Sequence, residues 1–101
     1  MLCYETGKNG LTVRLSGELD HRAATGIRRE LDALIAQTGA KRLIFDLKGL
    51  EFMDSSGIGL IIGRYKLMAK RGGSVAVCSP GARVDQIFRM AGLYQLVERL
   101  A

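Results

Sequence analysis

One segment of this chain concentrates residues able to do chemistry: Met53-Asp54-Ser55-Ser56-Gly57-Ile58-Gly59-Leu60. A carboxylate is followed by two adjacent hydroxyls, at the point where apolar spacing predicts a helix to begin. The first N–H groups of a helix lack intrahelical partners, and the helix dipole is positive there. A serine in that place can cap the helix, and a phosphate added to it is electrostatically tolerated. Aspartate and serine are both favoured caps, so one such residue means little, but three in a row are redundant for capping alone. Leu50, Phe52 and Met53 lie just before them. An exposed apolar residue beside a modifiable hydroxyl makes a partner site. Residue chemistry alone leaves two readings open, a regulated docking site and a structural cap.

Catalytic alternatives fit poorly. A phosphate-binding P-loop needs Lys and then Ser or Thr after its last glycine, whereas Gly63 is followed by Arg64-Tyr65. The dinucleotide fingerprint needs its third glycine where Ile62 stands. Gly57, Gly59 and Gly63 are therefore expected to permit close helix–sheet packing, with an exposed or closely approached helix start at Gly57 and Gly59. A nucleophile elbow needs glycine two residues before and after its serine, and neither Ser55 nor Ser56 has both. His21, the only histidine, is expected to be a surface residue near a helix start. Asp46 and Asp54 form at best a weak acid/base pair. No metal site is expected, because one histidine and two separated cysteines supply too few ligands.

The elements that must position Asp54-Ser55-Ser56 follow from periodicity. Leu11, Val13 and Leu15 alternate with polar residues, which predicts a half-buried strand over 11–16. Residues 2–6 form its hairpin partner through the turn at 7–10. Ala24, Ile27, Leu31, Leu34 and Ile35 mark a helix over 21–38, with Asp20 placed to cap it and Gly39 to end it. Leu43 to Leu47 reads as a central strand buried on both faces. Residues 48–53 read as a loop, followed by a helix over about 56–71 that Gly72-Gly73 stops. Residues 74–78 form a further strand. Ser79-Pro80 predicts a capped third helix over 80–91, ended by Gly92. Residues 93–97 are assigned to a last strand. The order β-β-α-β-α-β-α-β predicts a single α/β domain over 1–101, with a mixed, mostly parallel sheet packed with helices.

Composition supports this class. The 101 residues are 48% hydrophobic and 25% charged, and carry a net charge of +5. That is a globular balance rather than a disordered one. Cys3 and Cys78 are expected to be reduced core or near-core thiols, which suits a cytoplasmic protein. Neither a membrane-spanning run nor a signal peptide is read, so no membrane partner is expected. Basic residues are scattered without interleaved aromatics, which argues against direct nucleic-acid binding.

At this point Gly17-Glu18-Leu19-Asp20-His21, Phe52-Met53-Asp54-Ser55-Ser56-Gly57-Ile58-Gly59, Gly63-Arg64-Tyr65-Lys66 and Met90-Ala91-Gly92-Leu93 stand together as a pattern. Over nearly its whole length the chain resembles the anti-sigma-factor antagonists of the STAS domain class, and within them the sporulation branch. The resemblance implies a STAS-like fold and a non-enzymatic, partner-switching regulator of sporulation transcription. Its unphosphorylated form binds an anti-sigma factor that is also a serine kinase, releasing the sigma factor. Phosphorylation dissociates the pair, and a serine phosphatase reverses it. By position, Ser55 is the phospho-acceptor. Asp20, Asp54, Ser55, Ser56, Gly57, Ile58 and Gly59 form the implied partner-binding surface. The ATP belongs to the kinase, so no cofactor is implied for this chain, and a monomer is the simplest state. The family's longer C-terminal tail has no counterpart after Ala101. Two readings from other classes compete: a nucleotide-binding protein or weak nucleotidase using the glycine-rich helix start, and a basic DNA-associated module.

Overall fold

A computed structural model describes residues 2–8 and 10–100. Strands β1 (Leu2–Gly7) and β2 (Gly10–Leu19) form a hairpin, followed by helix α1 (His21–Thr38), strand β3 (Arg42–Met53), helix α2 (Ser55–Lys70), strand β4 (Ser74–Cys78) and helix α3 (Ala82–Met90). A short 3₁₀ turn, Leu93–Gln95, leads to strand β5, Glu98–Arg99. The five strands pair in chain order. β1–β2 is antiparallel and the three remaining pairs are parallel. The mixed α/β domain expected from periodicity is the one found.

Sequential parallel order has a direct consequence. Every right-handed crossover steps across the sheet in the same direction, so all three helices fall on one face. Their buried residues, among them Leu31, Ile61 and Phe88, join Leu11, Val13, Phe45, Leu47 and Val77 in one core. The opposite face carries no helix among the described residues, yet Ile44 of β3 is buried there, so Leu43–Leu47 is buried on both faces as expected, with only Asp46 half-buried. Arg14 there meets Glu5 at 2.7 Å and Asp46 at 3.5 Å. No helix among the described residues is long and apolar enough to cross a membrane.

Four expectations change. Residues 48–53 are not a loop but the second half of β3. Between Arg14 and Ser16, and again between Gly17 and Glu18, β3 advances one residue more than β2, and Leu47, Leu50 and Met53 turn inward at intervals of three. Such bulged pairing hides the period-two signal of a strand. Helix α3 begins at Ala82 rather than at Pro80, and Gly81 at its N-cap makes no side-chain bond. Ser79 adopts φ 57°, and a residue before proline is disfavoured from the helical region, so the chain turns before the helix starts. Residues 93–97 are mostly a helical turn, because Leu96 and Val97 donate N–H bonds to the Leu93 carbonyl at 2.9 and 3.0 Å. Cys3 is exposed on edge strand β1, away from the core, whereas Cys78 is half-buried at the end of β4, near it.

The α3 corner is tied by polar contacts. Tyr94 donates its hydroxyl to Asp85 at 2.5 Å, and Arg89 Nε donates to the same carboxylate at 2.8 Å. Burial, reinforced by the bond to Asp85, pushes the Tyr94 phenol up to about 12. The bonds from Tyr94 and Arg89 hold Asp85 below the usual carboxylate range. A raised phenol contributes stability that is complete below its unfolded value and is lost as pH climbs through the folded value. Absorbance titration should therefore show one tyrosine ionising near 12. Chemical denaturation should show stability falling between about pH 10 and that value, with the decline flattened in Tyr94→Phe.

Glycine packing gives a second expectation. A Cβ at Gly57 would sit 2.9 Å from both the Leu19 carbonyl and Met53 Cβ, whereas one at Gly59 or Gly63 would meet nothing within 4 Å. Only Gly57 therefore serves the close helix–sheet packing expected of all three. Gly57→Ala should destabilise the fold by about 1–2 kcal/mol, because overpacking outweighs the gain in helix propensity. Gly59→Ala should stabilise it by about 0.5–1 kcal/mol. Urea denaturation of the two variants tests the contrast.

Candidate functional site

The site is built where β2 and β3 end. Glu18 pairs with Phe52 and Leu19 with Met53, so the next residue on each strand, Asp20 and Asp54, lies beside the other. The Asp54 N–H donates to the Leu19 carbonyl at 3.3 Å, carrying the strand pairing one step further. Each aspartate then caps a helix. Asp20 Oδ1 accepts from the Ala23 N–H at 2.9 Å. Asp54 Oδ1 accepts from the Ser56 N–H at 2.8 Å and the Gly57 N–H at 3.4 Å. Two helix starts, each with an acidic cap, therefore stand side by side.

Because Asp54 caps α2, the serines are released from that task. They occupy the first two helical positions instead of the loop end and cap that the sequence suggested. Ser55 is exposed, and its hydroxyl has no hydrogen-bond partner among the described residues. Ser56 is half-buried, with Oγ 3.2 Å from His21 Nδ1. Its hydroxyl thus bonds across to α1 rather than capping α2. Gly57 is buried and serves packing, and Ile58 rests half-buried against the core. Gly59 is exposed beside them. The structure thus gathers Asp20, Asp54, Ser55, Ser56 and Gly59 at one end of the helical layer. Asp46 lies on the helix-free sheet face, far from a pairing with Asp54.

Sequence reasoning missed what lies between the helices. A groove of about 440 Å³ separates α1 from α2, with His21, Arg28, Ser56, Gly59, Gly63 and Arg64 along its walls. Arg64 Nη1 lies 2.9 Å from Asp32 Oδ1, though the contact is not aligned as a hydrogen bond, and its buried Nε has no protein partner. Burial lowers the Arg64 guanidinium; Asp32 opposes the shift and Arg28 adds to it. No local signal predicted the His21–Ser56 contact, since the two residues are 35 positions apart. No three His, Cys, Asp or Glu side chains among the described residues cluster closely enough to hold a metal.

Comparison with known proteins agrees with this geometry. The STAS domain profile matches residues 4–101. An "Anti-sigma F factor antagonist" of Paenibacillus polymyxa is 44% identical over 87 residues, which cover 86% of this chain and 74% of that protein. The structure of the anti-sigma factor antagonist SpoIIAA in its unphosphorylated form superposes with a TM-score of 0.85 at 30% identity, covering all of this chain and 89% of the other. The phosphorylated form of the Bacillus cell fate determinant SpoIIAA gives 0.76 at 29% identity, covering all of this chain and 92% of the other. The chain belongs to the STAS domain family.

The cap is open to direct test. Asp54→Ala should cost about 1 kcal/mol, since it removes the side-chain acceptor for the α2 N–H groups. Asp54→Asn should recover most of that loss. Chemical denaturation measures both, and an unchanged Asp54→Ala midpoint would contradict the capping role.

Proposed function

We propose that this STAS domain is an anti-sigma factor antagonist of the sporulation type. Its unphosphorylated form binds an anti-sigma factor serine kinase and is switched off by phosphorylation of Ser55. A single observation carries the reading: at a capped helix start, one serine is exposed and unpartnered while its neighbour is engaged. The names of the relatives support it, since an anti-sigma F factor antagonist shares 44% identity and a solved relative exists in a phosphorylated form. The partner surface in this reading is Asp20, Asp54, Ser55, Ser56, Ile58 and Gly59. Gly57 supports it from below. A serine phosphatase restores the binding form, and the chain acts as a cytoplasmic monomer without a cofactor of its own.

The off-switch is local. Phosphorylation adds about −1.5 to −2 charges at neutral pH, so a chain with net charge +5 stays cationic, and global repulsion is not the cause. The α2 N–H groups tolerate the phosphate within this protein. The partner must instead accommodate a dianion beside Asp54 on a surface that fitted a hydroxyl. A loss of a few kcal/mol there weakens binding by roughly two or more orders of magnitude. No change of fold is needed.

Incubation with the cognate kinase and ATP, followed by mass spectrometry and affinity measurement, tests the reading. Wild type should carry phosphate on Ser55 and lose affinity by roughly a hundredfold or more. Ser55→Ala should fold normally and stay bound after ATP is added. Release of Ser55→Ala by ATP would overturn the assignment.

A further inference from the structure

The Asp54-Ser55-Ser56 segment offers a kinase two adjacent hydroxyls, and their surroundings differ. Ser55 is exposed and unpartnered. Ser56 faces the groove between α1 and α2, on the helical face it shares with Gly59, Leu60 and Gly63. There its Oγ meets His21 Nδ1 at 3.2 Å. The contact works in either sense: a neutral Nδ1 accepts the hydroxyl proton, and a protonated Nδ1–H donates to Oγ. Its position is also fixed from both sides. His21 is the first residue of α1, directly after the Asp20 cap, and Ser56 is the second of α2, its N–H held by Asp54.

We propose that His21 confines phosphorylation to Ser55 by holding the Ser56 hydroxyl in the groove. The inference rests on the functional reading above and adds a specificity determinant to it. In the transfer, the bond between the γ-phosphorus and the ADP oxygen breaks. A bond forms from phosphorus to the serine Oγ, and the hydroxyl proton passes to a base on the kinase. That geometry needs the attacking oxygen aligned about 3–3.5 Å from phosphorus. Ser55 meets the requirement from an exposed position without breaking a bond. Ser56 must first leave His21 and turn out of the groove. Losing one such hydrogen bond disfavours the reactive arrangement roughly tenfold, and the walls of the groove add to that. His21 touches neither ATP nor the reacting atoms of Ser55. It is a positioning residue that acts through Ser56.

The test follows phosphate site by site, a readout that a merely structural role for His21 would not move. Wild type, Ser55→Ala, His21→Phe/Ser55→Ala and His21→Asn/Ser55→Ala are incubated with the cognate kinase and ATP. Rates at each serine are then taken by mass spectrometry. Kinase binding by each variant without ATP is measured first, so that rates are compared at equal occupancy. Ser55→Ala should be modified at Ser56 only slowly. Adding His21→Phe should raise the Ser56 rate roughly tenfold. His21→Asn places an amide where Nδ1 stood and should return the rate toward that of Ser55→Ala. Equal Ser56 rates with and without His21→Phe would overturn the inference while leaving Ser55 as acceptor. A rate lowered by His21→Phe would overturn it in favour of His21 activating Ser56. Absence of phosphate from Ser55 in wild type would overturn the functional reading, and this inference with it.

Discussion

Parallel pairing of β2 with β3 through to their last residues is the constraint on which the site depends. Had β3 ended at Leu47, as its apolar run suggests, Asp54 would stand on a free loop with no fixed relation to Asp20. Instead Leu19 and Met53 are partners, and the Asp54 N–H reaches the Leu19 carbonyl. Two helix starts are thereby registered by backbone geometry, and the His21–Ser56 contact joins them. Gly57 completes the arrangement, because only a residue without a Cβ lets α2 come this close to Leu19 and Met53. The bulges in β3 are part of the same device. They take up the register difference between a regular pair and one that ends with both caps level.

This arrangement separates tasks that sequence leaves merged in Asp54-Ser55-Ser56. Asp54 satisfies the orphan N–H groups of α2, Ser56 reaches across to α1, and Ser55 is left with no structural duty. A residue without such a duty can be modified at little cost to the fold. The same helix start that tolerates a phosphate is thus shielded from being disrupted by it. In the proposed reading, regulation by modification needs no moving part in this protein, only a surface that a partner reads differently before and after.

The remainder of the fold packs behind this end. All three helices share one face and one core, so α1 and α2 are buried against the same sheet. The α3 corner, at the far side of β4, is fastened by Asp85 through Tyr94 and Arg89. The helix-free face carries exposed ion pairs such as Arg14–Glu5, which contribute little stability and chiefly keep that surface polar.

The sequence by itself determined the element order, the limits of α1 with its Asp20 cap and Gly39 stop, and the importance of Asp54-Ser55-Ser56. Those features rest on local physics: helical period, capping chemistry and the left-handed conformation glycine permits. Its motifs were also enough to mark the family. The sequence misread 48–53, because a bulged parallel pair buries Leu47, Leu50 and Met53 at a spacing unlike the alternation of a simple strand. It placed the start of α3 two residues early, since Ser79 spends its conformation on a turn before Pro80 rather than on a cap. It gave three glycines one role, although only Gly57 meets a neighbour that a Cβ would strike. The resemblance already pointed to Ser55, but only the tertiary structure showed how the surroundings of the two serines differ. What separates them is His21, 35 residues from Ser56 in the chain and 3.2 Å away in space. That proximity follows from long-range pairing of β2 with β3, which no local pattern of residues encodes.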